Sequence, residues 1–166
     1  MPRATAAGPW PGSDFSHVAV HRRTSIGAAR LAWAVRAART WLGPEVAPAP
    51  LGLRRHQADL RLRVSDHPSL VTFRKAAYVD MGPIQPLNDG WEVEVGWRAS
   101  TLAPLFPVFS GTMALRNGEL TLSGWYAPPG GTVGRLADHA LLHVAAEGTA
   151  RWLLGELERA ARRGGT

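Results

Sequence analysis

Tyr126 closes an alternating segment, Glu119 to Tyr126, just ahead of the turn residues Pro128-Pro129-Gly130-Gly131. A phenol at a strand end, facing whatever element covers the strand, could orient or protonate a ligand carbonyl. The plainer reading is a packing tyrosine with its hydroxyl satisfied nearby. Trp91 and Trp97 share one face of a strand with Val93 and Val95, so their rings could stack on a flat ligand or simply fill a core. His17 and His21 flank Ala19 on one face of a first strand; were that face inward, either could act as acid or base near neutral pH. Otherwise both are exposed or hydrogen-bonded edge histidines. His56 points with Leu60 and Leu62 but starts its strand, where it is expected to be half solvated.

His139, His143 and Glu147 recur at four-residue spacing, which places them on one helix stripe. A His-Glu-x-x-His zinc motif needs glutamate directly after the first histidine, and Ala140 stands there. The stripe reads as a solvated helix face, and no metal site or cofactor is expected. Arg74 and Lys75 are adjacent in a strand, so one of them must point to the covered side. A buried cation is unfavourable unless paired, and Asp80, Tyr78 or an anionic ligand are the partners to consider. The sequence carries neither a P-loop nor a Gly-x-Ser-x-Gly elbow.

Those side chains need a scaffold, and the composition bounds it. At 166 residues the length suits one domain, expected over 15–163 behind a flexible leader, 1–14, rich in Gly and Pro and lacking the apolar core of a signal peptide. The absence of cysteine excludes disulfides and thiolate chemistry and is compatible with a cytoplasmic setting. No apolar run approaches the ~20 residues a membrane span needs. The formal charge is +6, yet the arginines are dispersed and no nucleic-acid motif accompanies them, so nucleic-acid binding is not expected.

Weak alternation over His17–Arg22 suggests a first strand, and Thr24 or Ser25 could cap the helix that follows. Ile26, Ala29, Trp33, Ala37 and Trp41 recur at helical spacing up to Gly43-Pro44, which makes them the expected buried face. Further strands are expected at His56–Val64, Leu70–Val79, Trp91–Arg98, Phe109–Arg116 and Glu119–Tyr126. The last two are joined by Asn117-Gly118, a strong two-residue hairpin signal. A long helix over Val133–Arg162 ends the chain, its apolar side including Leu141, Val144, Ala145, Trp152, Leu153 and Leu157. Strand faces that alternate need one covered side, and the final helix is the obvious cover.

This order resembles the helix-grip fold of the START/Bet v 1-like superfamily (SRPBCC), which includes polyketide cyclases and aromatases. The likeness is carried by Phe73-Arg74-Lys75-Ala76, by Leu105-Phe106-Pro107-Val108-Phe109-Ser110-Gly111 and by Leu122-Ser123-Gly124-Trp125-Tyr126-Ala127-Pro128-Pro129-Gly130. The resemblance implies an α+β architecture: a curved antiparallel sheet of six or seven strands wrapped around the C-terminal helix, with a cavity between them. Trp91, Val93, Val95, Trp97, Met113, Leu120, Leu122, Tyr126, Leu141 and Val144 would line that cavity and hold an apolar or aromatic small molecule. An enzyme of the cyclase, aromatase or dehydratase kind would use Tyr126 with His17, His21 or His56 and Lys75 or Arg74. A third possibility is an interaction protein with a vestigial pocket, either a monomer or a homodimer joined at a sheet edge.

Overall fold

The computed structural model describes residues 15–50, 52–63, 72–100, 107–127 and 139–164. The expected leader and the start of the final helix lie outside the described residues. The described strands form one antiparallel sheet: β1 (Ser16–Arg23), β2 (Arg54–Arg63), β3 (Thr72–Met81), β4 (Gln85–Leu87), β5 (Gly90–Ala99), β6 (Val108–Arg116) and β7 (Glu119–Ala127). The order is β1-β7-β6-β5-β3-β2, with β4 continuing beside β5. β4 is the strand the sequence pattern does not show: three residues carrying a proline are too few to display a period. Asn117 and Gly118 both take positive φ, 49° and 76°, and close the β6–β7 hairpin as expected.

Two helices complete the fold, α1 (Ala28–Arg36, continued by a 3-10 turn over Ala38–Thr40) and α2 (His139–Arg163). α2 makes its closest backbone approaches to β2, β1, β7 and α1. β1 and β2 are opposite ends of the strand order, so the sheet must curve to bring both onto one helix. That is the helix-grip arrangement.

α1 buries a different stripe from the one expected. Leu31, Ala32, Ala34, Val35 and Ala38 face the core, whereas Trp33 is 42% exposed and Ala29 is exposed. Both stripes have helical spacing, and packing against α2 selects the one with small residues. The Trp33 ring lies instead over Gly164 at the end of α2. Nor do Thr24 and Ser25 cap the helix: Gly27 is the N-cap, and Thr24 Oγ1 accepts from the Ile26 N–H within the preceding turn.

α2 presents Leu142, Ala146, Ala150, Leu153, Leu154, Leu157 and Ala161 to the interior, each at most 1% exposed. Burying leucines of this kind contributes roughly 1.5–3 kcal/mol apiece. Val144, expected on the apolar side, is 41% exposed, because its position rotates it off the stripe set by Leu142 and Ala146. Arg162 and Arg163 in the last turn complement the helix dipole. No described helix is long and apolar enough to cross a membrane.

Candidate functional site

The inner face of the sheet is built from transverse rows set by the register. Trp91, Leu115 and Leu120 form one row, and Val93, Met113 and Leu122 the next. Val95, Gly111 and Gly124 follow. His56, Val79, Trp97, Phe109 and Tyr126 make the row beyond, one residue from each of five strands. All the apolar side chains in these rows are at most 4% exposed, so Trp91, Val93, Val95, Trp97, Met113, Leu120, Leu122 and Tyr126 occupy the interior.

The paired glycines shape the centre. A Cβ on Gly111 or Gly124 would stand 2.7 Å from Phe109 Cζ, which shows that the phenylalanine ring lies back over the glycine row. Trp97 stacks on that ring with centroids 3.9 Å apart and planes 12° from parallel. Much of the space under the helix is therefore filled by a glycine-backed aromatic stack. On the opposite side of the sheet a cleft of about 350 Å³ is lined by Leu53, Pro83, Gln85, Glu92, Glu94 and Thr112, among others.

Four buried ring nitrogens have no hydrogen-bond partner among the described residues: Nε1 of Trp91, Trp97 and Trp152, and Nε2 of His56. Buried polar atoms nearly always find partners, so each of these needs an explanation. His56 was expected to be half solvated and is instead fully buried. The cause is the connector before β2, whose Pro44 carbonyl accepts from Gln57 N–H and whose Val46 N–H donates to Arg55. That pairing covers the strand's start. His56 Nδ1 lies 3.2 Å from the Gly43 carbonyl, and burial pushes the imidazole pKa below its ordinary 6.5.

Tyr126 faces α2, and its hydroxyl lies 3.1 Å from Nδ1 of His143. The rings sit 5.9 Å apart at the end of the aromatic row, with the tyrosine buried and the histidine exposed. The sequence pattern assigns His143 to a solvated stripe. Only the helix docking shows that it meets a strand residue, and no local signal marks the pair. Glu147 turns to Arg151 rather than to His143, and no group of three metal-ligating side chains occurs among the described residues.

Other candidates fall elsewhere. His17 and His21 lie on the outer face, because Val18 and Val20 take the buried positions of β1. His21 Nδ1 lies 2.9 Å from Glu119 Oε1, and His17 meets the Trp125 ring edge-on at 5.2 Å. The inward alternative for both is thus corrected, since two valines on the other face outweigh Ala19. Lys75 is partly buried, sits across from Leu60 and shares the inner face with Ala77 and Val79. The register pairs Arg74 with Arg61, and the side chains of both lie outside the described residues. Asp80 is held by Arg55 through two bonds of 2.7 and 2.8 Å. That hydrogen bonding raises the Arg55 pKa above its usual value. Arg55 and Arg98 both lie over the Tyr78 ring, 5.3 and 5.7 Å from its centroid. The side chains of Leu141 and His139 lie outside the described residues, and the exposed Val144 lines no interior space.

No protein-family model matches this chain, and no curated protein does. Among solved structures it is similar to DynU16, a protein of the dynemicin biosynthetic locus. The identity is 19% over 89% of this chain and 48% of that one, with a TM-score of 0.45. This chain thus spans about half the length of DynU16. It is also similar to a conserved protein from Geobacillus kaustophilus, at 10% identity over 90% of this chain and 93% of that one, with a TM-score of 0.39.

Proposed function

We propose that this chain is a START/Bet v 1-like protein that binds an apolar or aromatic small molecule between the sheet and α2. The observation that supports this reading is the set of buried ring nitrogens on the inner rows, of Trp91, Trp97 and His56, that have no hydrogen-bond partner among the described residues. A ligand carrying both acceptor and donor atoms satisfies them, while the flat indole faces supply contact area at little entropic cost. Native mass spectrometry on gently purified protein, beside a denatured control, tests it. A reproducible extra mass lost on denaturation is the expected result. A bare mass, together with no thermal shift from a panel of fused-ring compounds, sinks the reading in favour of an interaction protein with a filled interior.

The Tyr126–His143 contact favours a second reading, a cyclase-, aromatase- or dehydratase-like enzyme. A tyrosine hydroxyl bonded to an imidazole can pass a proton to a substrate carbonyl and recover it through the exposed histidine. On this reading Tyr126→Phe and His143→Ala each lower turnover by roughly 10²-fold or more, the usual worth of a positioned acid or base. Unchanged turnover in Tyr126→Phe rejects it.

A further inference from the structure

The packing that buries Leu31, Ala34 and Val35 turns the opposite side of α1 outward, and that side is both aromatic and basic. Trp33 stands at its centre, 42% exposed. Arg30 and Arg36 lie three residues to either side, which sets all three on one helix face, and both arginines are exposed. The Trp33 ring lies over Gly164. The end of α2 therefore abuts this face and adds the exposed Arg162 and Arg163 to its border. Arginines scattered along the chain thus meet around one exposed indole.

From Phe15 to Pro44 the chain has five arginines and no aspartate or glutamate. The acids nearest the end of α2 are engaged elsewhere: Glu158 is buried against Arg22, and Glu156 is bonded to Arg159. Arg36, Arg162 and Arg163 make no ion pair with a described residue. Solvated guanidinium groups of this kind add little to the stability of the fold, and their like charges repel one another. An external anionic surface would relieve that repulsion.

We infer that this face docks on an anionic bilayer surface, with Arg30, Arg36, Arg162 and Arg163 on lipid phosphates and the Trp33 indole at headgroup depth. A guanidinium fork matches phosphate oxygens in pairs, and indole rings favour the membrane–water interface. The shape favours lipid over nucleic acid. Single-stranded nucleic acid is held in a groove that tracks its backbone past the aromatic rings, whereas this patch is the outward side of a helix. The contact is peripheral, in keeping with described helices that are not long and apolar enough to cross a membrane. It stands independently of the small-molecule reading.

Flotation of the whole protein with lipid vesicles tests it. The wild type is expected to float with equimolar phosphatidylcholine and phosphatidylserine, to stay behind with phosphatidylcholine alone, and to be released by added salt, which screens exposed charges. Arg162→Gln with Arg163→Gln is expected to weaken partitioning by about tenfold or more, the worth of two basic residues at such a surface. Arg98→Gln with Arg116→Gln removes the same charge from the outer face of the sheet and is expected to leave partitioning within about twofold of the wild type. Brominated lipid is expected to quench part of the wild-type indole emission and less of it in Trp33→Phe. No flotation on the anionic vesicles overturns the docking face. So do equal losses in the two double variants, which would assign the binding to net charge, or equal quenching with and without Trp33. Tighter binding to a mixed-sequence RNA than to the anionic vesicles assigns the patch to nucleic acid and likewise overturns it.

Discussion

His56 gives the residue scale its sharpest consequence. Its folded pKa lies below the ordinary 6.5 because of burial, so below about pH 6.5 the unfolded chain takes up a proton that the folded chain refuses. Stability is therefore complete above that pH and falls as the pH drops through it, by up to about 1.4 kcal/mol per pH unit for one proton. Urea unfolding between pH 7.5 and 5 should show this slope in the wild type and a shallower one in His56→Phe. The Arg55–Asp80 pair makes an independent prediction. Both partners are largely buried, so Asp80→Asn or Arg55→Met alone should cost about 3–5 kcal/mol by stranding a charge or breaking the fork. Replacing both with apolar residues of similar size should recover most of that loss, as a double-mutant cycle would measure. Tyr126→Phe removes one bond to an exposed partner and should cost only about 1 kcal/mol. A larger loss of ligand binding or turnover would then speak for a direct role at the site.

At the scale of elements, the Phe109–Trp97 stack depends on two strands lacking side chains at one row. Gly124→Ala would set a methyl group 2.5 Å from the Gly111 Cα and 2.7 Å from the Phe109 ring. Backbone cannot yield as a flexible side chain does, so the ring must move and disturb Trp97. The expected cost is about 1–3 kcal/mol, read as a lower urea midpoint at unchanged slope, with altered near-ultraviolet dichroism. The strands themselves were legible. Val93, Val95, Leu120 and Leu122 alternate with polar residues, and a period of two has a single physical meaning when one face must be dry. The helices were less so. α1 has two apolar stripes of equal spacing, and choosing between them needs the tertiary packing, which buries Leu31 and Val35 and leaves Trp33 outside.

For the whole molecule, the decisive feature is a sheet curved enough that both of its end strands touch α2. Leu157 is fully buried, and Leu157→Ala should cost about 2–5 kcal/mol through the cavity left in a core that cannot collapse onto a shorter side chain. A single cooperative unfolding transition, shifted down in temperature as a unit, is the expected observation. A ligand held between sheet and helix binds only the folded chain, so at a hundredfold excess over its Kd it should stabilise by about 2.7 kcal/mol. The corresponding rise in melting temperature is a test that needs no assay of activity.

The chain's periodicities and turns determined, without any coordinates, that there would be an antiparallel sheet with one dry face, a hairpin at Asn117-Gly118 and a long covering helix. These depend on contacts between near neighbours and on which face of a segment is apolar. Tertiary structure alone decided which polar atoms meet. His143 joins Tyr126, Arg55 holds Asp80, the connector at Gly43 seals and orients His56, and His17 and His21 turn outward. Each of those outcomes depends on register and on the docking of segments distant in sequence, and a hydrogen bond of a few ångströms has no counterpart in residue spacing.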